Sequence, residues 1–475
     1  MLIVKKKYGS FETFEGGANA NKCLPYDEVS YTHSGCTLVK RTNHPTLVGV
    51  LETTGTRYGF TKTHNSIYLC KPLDERYPPF CVGSKIVDRL RNKLITFSFD
   101  HWTDALPRGI FLSLLGDCGI AEAEKKACLL KASPWGWKAL PEIVEPSWER
   151  ERIEFPTFTI DPVGCKDADD CISFLENGIA ISIADVSAYV EVNPWMKFAE
   201  HIGTSLYENG TCVKPMFPPL LSEDKFSLVE GQDRLAYSLF ITFTPEGIKH
   251  EWKETIVNVK AYNYESIYET DTTLLKEYVF RLSGLSTDDS HKWIEVFMLY
   301  YNTQAAEKAA ILRKQKGRNM ERARLFEPLS DTYMYLSYES AKYSLPSDGI
   351  TSTFHSQLGV EKYAHASSPI RRYVDIINQF ALKGKLLEYS CLERFNAIQS
   401  AAKTFERELL FLNLYYGSKH TLEGIVLDGE HVFIPCLKKV IPHLNILPPK
   451  TTVSIKYYTN PQGGNWKEKI LFQVE

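Results

Sequence analysis

The sequence predicts an α+β protein of several domains, and three observations carry that prediction. Its 475 residues exceed what one hydrophobic core organises, so about three domains are expected. Both ends of the chain read as short strands broken by Gly, Pro, Asn and Asp, the pattern of small β-barrels. Between them, strand cues give way after about residue 270 to long stretches of helical periodicity. With 44% hydrophobic and 24% charged residues, the chain has the composition of an ordinary globular protein with ample core.

The elements follow in order. Thr46 to Gly55, Tyr58-Gly-Phe60 and Ser66 to Cys70 read as consecutive strands with tight turns, and Lys93 to Phe99 as another. Pro134 to Pro156, which also holds Pro141 and Pro146, reads as a linker or wrapped connection. Cys171 to Leu175, then Asn177-Gly178, then Ile179 to Ala184 is a hairpin signal, because Asn-Gly between apolar alternating runs is the strongest short hairpin cue. Asp289-Ser290 caps a predicted helix running through Trp293, Phe297, Leu299 and Tyr300 towards Leu312. Ser367-Ser-Pro369 opens another, Ile370 to Leu387, with Pro in its first turn. Cys391 to Tyr416 is a third, with Gly417 as its stop. Leu422 to Leu427, His431 to Ile434 and Thr451 to Tyr458 return to strands and suggest one more barrel.

Composition excludes several classes. The 11 Cys form no Cys-x-x-Cys pair, and the 12 His make no ligand pattern with them, so reduced thiols are expected and neither a zinc site nor a disulfide framework. Met1-Leu-Ile-Val-Lys-Lys-Lys7 is not a signal peptide, and no apolar run approaches the roughly 18 to 20 residues that span a bilayer. The longest apolar runs, Gly109 to Leu115 and Leu409 to Tyr416, look like core. A soluble, intracellular (cytoplasmic) monomer with no membrane partner is expected. A net charge of −3 leaves nucleic acid open as a partner, since phosphate needs a local basic track and not a basic total.

The chemistry concentrates in Thr-Ile-Asp161-Pro-Val-Gly-Cys-Lys-Asp167-Ala-Asp169-Asp170. Two like charges about 4 Å apart repel by roughly 4 kcal/mol at a surface-like dielectric. A fold that gathers four needs compensation, and a hard divalent cation with oxygen ligands supplies it. Asp161, Asp167, Asp169 and Asp170 therefore read as a Mg2+ or Mn2+ site, and such sites usually act on phosphate. If the extended conformation begins here, Asp167 and Asp169 share one face and Asp170 points away unless the chain bends. Pro162 and Gly164 favour a bend before Asp167.

A second constellation, His365-Ala-Ser367-Ser368-Pro369-Ile-Arg371-Arg372-Tyr373-Val-Asp375, lies far along the chain. A helix start suits an anion, and the Arg371 guanidinium matches phosphate oxygens. Asp375, four residues on, offers the competing intrahelical partner for Arg371.

Together the two motifs resemble the RNase II / RNB family of 3′-to-5′ exoribonucleases, in an RNase R-like form. The first matches its Thr-Ile-Asp-Pro…Lys-Asp-x-Asp-Asp signature and the second its Ser-Pro-Ile-Arg-Arg-Tyr-x-Asp signature. Ile183-Ala-Asp185-Val-Ser187-x-Tyr189, Gly203-Thr-Ser205-x-Tyr207, Pro215-Met-Phe-Pro218, Leu221-Ser222 and Arg234-Leu-Ala236 follow in the family's order. The resemblance implies a catalytic domain over 147–418, a mixed sheet with packed helices, between small OB-type barrels. These would be a shortened cold-shock-like barrel over 1–44, ending near Asn21 to Val29, a second with its linker over 45–146, and an S1-like barrel over 419–475. No additional N-terminal nuclease domain is visible.

The resemblance also implies a reaction: hydrolytic release of 5′-mononucleotides from single-stranded RNA, with Mg2+. Asp161 and Asp170 would hold the principal metal and the scissile phosphate. Asp167 and Asp169 would serve the second metal and the attacking water. Arg371 would stabilise charge on the phosphate, Tyr207 would stack near the RNA 3′ end, and Tyr264 would contact a base. Ser368 and Arg372 join the RNA-binding set, and Glu406 matches a family acidic residue loosely. The physics agrees, because paired cations clamp the attacking and leaving oxygens and a preorganised Arg adds stabilisation. Trp102, Tyr58 and Phe60 are either base stackers or core aromatics.

Three positions depart from the family pattern. Ile202 stands where a basic residue is usual, Ala188 where many members have His, and Phe217 where Leu is usual. They bear on strand guidance and rate, not on the reaction class. The competing readings are a catalytically inactive RNB-fold RNA-binding or scaffold protein, a Mg-dependent DNA nuclease or phosphatase, and a plain acidic surface loop. Inactive members usually lose acidic ligands, and this chain keeps all four. The surface loop leaves the accompanying Ser-Pro-Ile-Arg-Arg segment unexplained.

Overall fold

The structure is a computed structural model that describes residues 2–5, 11–14, 22–25, 27–32, 35–41, 44–329, 331–348, 353–443, 447–463 and 465–475. Much of the segment expected as a first barrel, including Asn21 and Tyr26, lies outside the described residues. The chain divides into two compact units. One is Met1–Gly136 with Ser400–Leu422 and Ser454–Glu475; the other is Trp137–Gln399 with Glu423–Val453. Among the described residues no helix is long and apolar enough to cross a membrane.

In the first unit, β1 (Leu47–Leu51), β2 (Ser66–Pro72), β3 (Phe80–Ser84), β4 (Lys93–Phe99) and β5 (Arg108–Asp117) close into a barrel in the order β1-β2-β3-β5-β4. Leu51, Tyr68, Phe80, Val82, Ile95 and Phe97 fill its interior. Helix α1 (Ala121–Ala132) seals the outside, packing Ala123 and Ala127 on Val48 and Leu94. Gly109 to Leu115 departs from the expected core segment. Ile110, Leu112 and Leu114 alternate outward on β5 and stay half-exposed, as the period of two on a barrel strand requires. Tyr58 and Phe60 are exposed as well, whereas Trp102 packs against the barrel core. Towards the C-terminus, Ile455 to Thr459 pair antiparallel with Ile470 to Val474.

The second unit is built on a seven-stranded mixed sheet. Its strands are β6 (Glu151–Arg152), β7 (Thr157–Asp161), β8 (Asp170–Leu175), β9 (Gly178–Ala184), β10 (Asp233–Thr244), β11 (Gly247–Asn258) and β12 (Lys260–Asn263). They lie in the order β6-β11-β10-β9-β8-β7-β12. On one face Ile179, Ile181 and Ile183 alternate inward and join Leu239, Ile241, Trp293 and Phe297 in the main core. Trp293 and Phe297 come from α4 (Ser290–Ala305), which follows α3 (Thr273–Ser283). On the other face small polar residues bond side to side. Ser238 Oγ meets Ser182 Oγ and Thr255 Oγ1, each at 2.7 Å, so these buried hydroxyls are satisfied.

The hairpin cue held with a shift of one residue. Leu175 pairs with Gly178, so the turn is Glu176-Asn177 and Gly178 already belongs to β9. That position needs glycine, because a Cβ there would sit 1.9 Å from the Ile241 carbonyl oxygen on β10. The short helix α2 (Val186–Val192) follows β9 and is capped by Asp185, which accepts from the Ala188 amide. Asp185 is buried between Arg150 (2.7 Å) and Lys383 (2.5 Å). Burial opposes its ionisation, but the two cations hold the carboxyl well below the usual carboxylate range. Helix α5 (Tyr373–Leu382), which precedes Lys383, is thereby tied to the sheet, and Gln379 adds bonds to Ser187 N and Ala184 O. The last helix, α6, spans Leu392–Tyr416, close to its predicted limits.

Gly178→Ala is expected to cost about 1–3 kcal/mol through overpacking against β10. Gly429→Ala, into open space, is the control. Thermal unfolding followed by circular dichroism should show a lower midpoint for the first and an unchanged one for the second.

Candidate active site

The acidic run is shaped by its two strands. β7 and β8 are antiparallel, with Thr157 opposite Ser173 and Phe158 opposite Ile172, so Asp161 at the end of one lies beside Asp170 at the start of the other. Between them the chain turns tightly. Cys165 N donates to Pro162 O at 3.0 Å, with Gly164 in the left-handed region at φ 80°. The loop is then pinned: Ala168 N donates to Ser227 Oγ (3.0 Å), Leu228 N to Ala168 O (3.0 Å), and Ala184 N to Asp169 O (2.8 Å). Strand β8 begins only at Asp170, so the preceding bend lets all four aspartates line one cavity of about 430 Å³.

The Arg segment reaches the same cavity by a different route from the one its sequence suggests. Helix α5 starts at Tyr373 and ends at Leu382, not at Ile370 and Leu387. Ser368 to Arg371 form a turn, and Arg372 is extended (φ −139°) where it forms an isolated antiparallel bridge with Thr204. Ser205 N donates to Arg371 O and Tyr373 N to Gly203 O, both at 3.0 Å. Gly203 permits this with φ 74° and with Ile398 Cδ1 only 2.6 Å from where a Cβ would stand. The same pairing carries Tyr207 to the cavity wall.

Asp375 takes the other arginine. It accepts from Arg372 Nε (2.9 Å) and Nη2 (2.7 Å), and from the Ser368 amide (2.8 Å). Arg371 is left to face the acidic loop. Its Nε donates to Asp169 Oδ2 (3.3 Å) and its Nη2 to Ser368 Oγ (2.9 Å), while the Ile370 amide donates to Asp169 Oδ1 (2.9 Å). Asp161, Asp167, Asp169, Asp170, Arg371, Tyr207, Tyr264, Ser368 and Arg372 all border the cavity. Glu406 is exposed on α6 and is not part of its lining.

Charge is stored here at a cost. Burial pushes Asp161 up to about 6, with the Cys165 thiol and Thr159 pulling it back. Burial likewise pushes Asp169 up to about 7 despite Arg371 and the Ile370 amide. Asp170 is raised well above its ordinary value, first by burial and then by the charges of Asp161 and Asp169. Tyr207, whose hydroxyl donates to Asp167 Oδ2 at 3.3 Å, is raised by burial and by that carboxylate, so it stays a neutral donor. Cys165 Sγ lies 3.6 Å from Asp161 and 3.7 Å from Asp167, and burial raises its thiol too. Four oxygen-donor groups held in one desolvated cavity fit a hard divalent cation by charge and ligand type. Among the described residues no three acidic, His or Cys side chains yet form a closed ligand cage, and Arg371 occupies Asp169.

The opposite wall was not legible as a site. Helix α4 sends Ile294, Met298 and Asn302, four residues apart, into the lining. In sequence this stripe is indistinguishable from core packing. Asn302 accepts from Ala366 N (2.9 Å) and donates to Ser367 Oγ (2.9 Å) and Tyr363 Oη (3.2 Å), which fixes the turn before Ser368. The departures Ala188, Ile202 and Phe217 are buried packing residues and do not line the cavity.

Comparison with known proteins places this geometry. The RNB domain profile matches residues 150–270 and 310–388, and the Dis3-like cold-shock domain 2 profile matches 67–133. The human exosome complex exonuclease RRP44 is 29% identical over 219 residues, 41% of this chain and 22% of that protein. Ribonuclease R of Chlamydia pneumoniae is 25% identical over 435 residues, 70% of this chain and 63% of that protein. Each match thus spans less than two thirds of the relative's own length. Among solved structures, Mycoplasma genitalium RNase R in complex with double-stranded RNA superposes with a TM-score of 0.67 at 16% identity, over 97% of this chain and 100% of that one. Yeast Ssd1, a pseudonuclease, gives 0.63 at 15%, over 93% and 69%.

The raised carboxyls fix a sign. Between their unfolded value near 4 and the folded values of about 6 and 7, the folded state binds more protons than the unfolded one, so these groups lower stability as pH rises. A bound cation relieves the ionised form. Mg2+ should therefore raise the melting temperature more at about pH 8 than at about pH 5. An equal shift at both, by scanning fluorimetry, would exclude these carboxylates as its ligands.

Proposed function

This chain carries an RNB domain of the RNase II / RNB family, and on that footing we propose that it is a metal-dependent 3′-to-5′ exoribonuclease. Its substrate would be single-stranded RNA and its product 5′-mononucleotides. One observation carries the reading: four aspartates and Arg371, from stretches some two hundred residues apart, share one desolvated cavity. Phosphodiester hydrolysis needs that pairing of cation ligands with a guanidinium.

The residues divide the work. Asp161, Asp167, Asp169 and Asp170 would hold Mg2+ (or Mn2+), which when bound supplies water activation and neutralises developing charge. Ser368 and Asp169 hold the Arg371 guanidinium beside the carboxylates, where it would stabilise charge on the scissile phosphate. Arg372, clamped by Asp375, keeps the turn in place and lends positive charge. Tyr207 stays protonated and is oriented by Asp167, so its ring can face the terminal nucleotide. Tyr264, which borders the cavity, would contact a base.

The likeness to a pseudonuclease gives the second reading, an RNA-binding protein without turnover. The four retained aspartates favour activity. Incubation of 5′-labelled poly(A) and its DNA counterpart with Mg2+ or EDTA separates the two. A ladder shortening from the 3′ end, with RNA and metal together, is expected, and binding without any ladder would support the pseudonuclease.

Asp169→Asn should leave RNA binding largely intact and slow cleavage by about a hundredfold or more; turnover at the parent rate would remove Asp169 from the machinery. Tyr207→Ala should lengthen the limit product, read on a sequencing gel, and an unchanged end point would remove Tyr207 from the 3′-terminal contact.

A further inference from the structure

Tyr264 borders the cavity with one face already covered. The ring of His291 stacks on it, centroids 3.7 Å apart and planes 22° from parallel. His291 is exposed and does not line the cavity itself. The stack is fixed at both ends. Asp289 caps α4 by accepting from the His291 amide at 3.0 Å, and Ser290 Oγ donates to the Tyr264 carbonyl at 2.7 Å. The Ser290 amide is bonded to Tyr268 Oη at 2.8 Å, and that hydroxyl donates to Asp288 O. The helix that carries His291 then supplies Ile294 and Met298, eight and four residues before the end of the lining stripe at Asn302. Asn302 itself is spent: its amide oxygen and nitrogen are bonded to Ala366, Ser367 and Tyr363.

From this we infer that His291 is a positioning residue for base recognition, acting through Tyr264. Resting on the exoribonuclease reading above, it fixes the plane of the Tyr264 ring, which lines the same cavity as Ile294 and Met298 and with them offers flat and apolar surface to a nucleobase. That surface offers faces, while the nearby amide of Asn302 is committed to the protein. It therefore accepts a base by stacking area and not by the hydrogen-bonding pattern of its edge. Purines are therefore held somewhat better than pyrimidines, and an abasic end is held poorly.

The test uses the full chain and oligoribonucleotides ending in 2-aminopurine, A, G, C, U or an abasic site. In EDTA, 2-aminopurine quenching reports stacking without cleavage. His291→Ala should weaken that quenching and raise KM about three- to tenfold for A-ended RNA, with little change for the abasic end. His291→Phe, which keeps a flat ring, should restore both. Parent-like quenching in His291→Ala, failure of His291→Phe to rescue, or selection among bases by identity instead of size would each overturn the inference. Normal quenching without any cleavage in Mg2+ would instead overturn the exonuclease reading and leave this one standing.

Discussion

The bond between Asp169 and the Ile370–Arg371 turn makes one cavity out of two distant stretches of chain. Each oxygen of that carboxylate accepts from the turn, one from a backbone amide and one from a guanidinium, across 201 and 202 positions of sequence. Everything else at the site is arranged around keeping this junction in register. Asn302 fixes the entry to the turn, Asp375 fixes Arg372 and Ser368, and Gly203 to Ser205 hold the backbone of Arg371 and Tyr373 from the side. The Asp185 ion network ties the far end of the same helix to the sheet.

That junction also explains how the site tolerates its own charge. Burial disfavours the ionised form of a carboxylate, and at Asp161, Asp169 and Asp170 it outweighs the partners each has and raises the pKa. Arg371 offsets part of the cost for Asp169, and less of it for Asp161 and Asp170, without outweighing burial at any of them. The cavity is thus left with an appetite for positive charge that protons meet at low pH and a cation meets at higher pH.

Much of this was legible in the sequence, and unevenly so. The acidic loop was read correctly as a bend feeding a hairpin, because Pro162, Gly164 and the alternation of β8 and β9 are local signals. The barrel strands and the span of α6 were local too. What failed was set by tertiary pairing. Ser367-Ser-Pro369 carries every mark of a helix start, yet the helix waits until Tyr373, because Thr204 and Ser205 claim the backbone of Arg371 and Arg372 first. Asp375 chose Arg372 over Arg371 for the same reason. The α4 wall stayed hidden because Ile294 and Met298 obey the spacing of ordinary core residues, and only their position opposite the aspartates gives them a role.

The long reach of the Asp169–Arg371 contact bears on synthesis. A growing polypeptide exposes its acidic loop 202 positions before the arginine that completes it. At about 5–20 residues per second, that interval lasts roughly 10–40 s. Throughout it, the nascent acidic loop lacks the guanidinium that bonds Asp169 in the folded chain. Topology alone thus delays the assembly of the cavity until most of the helical region has been translated.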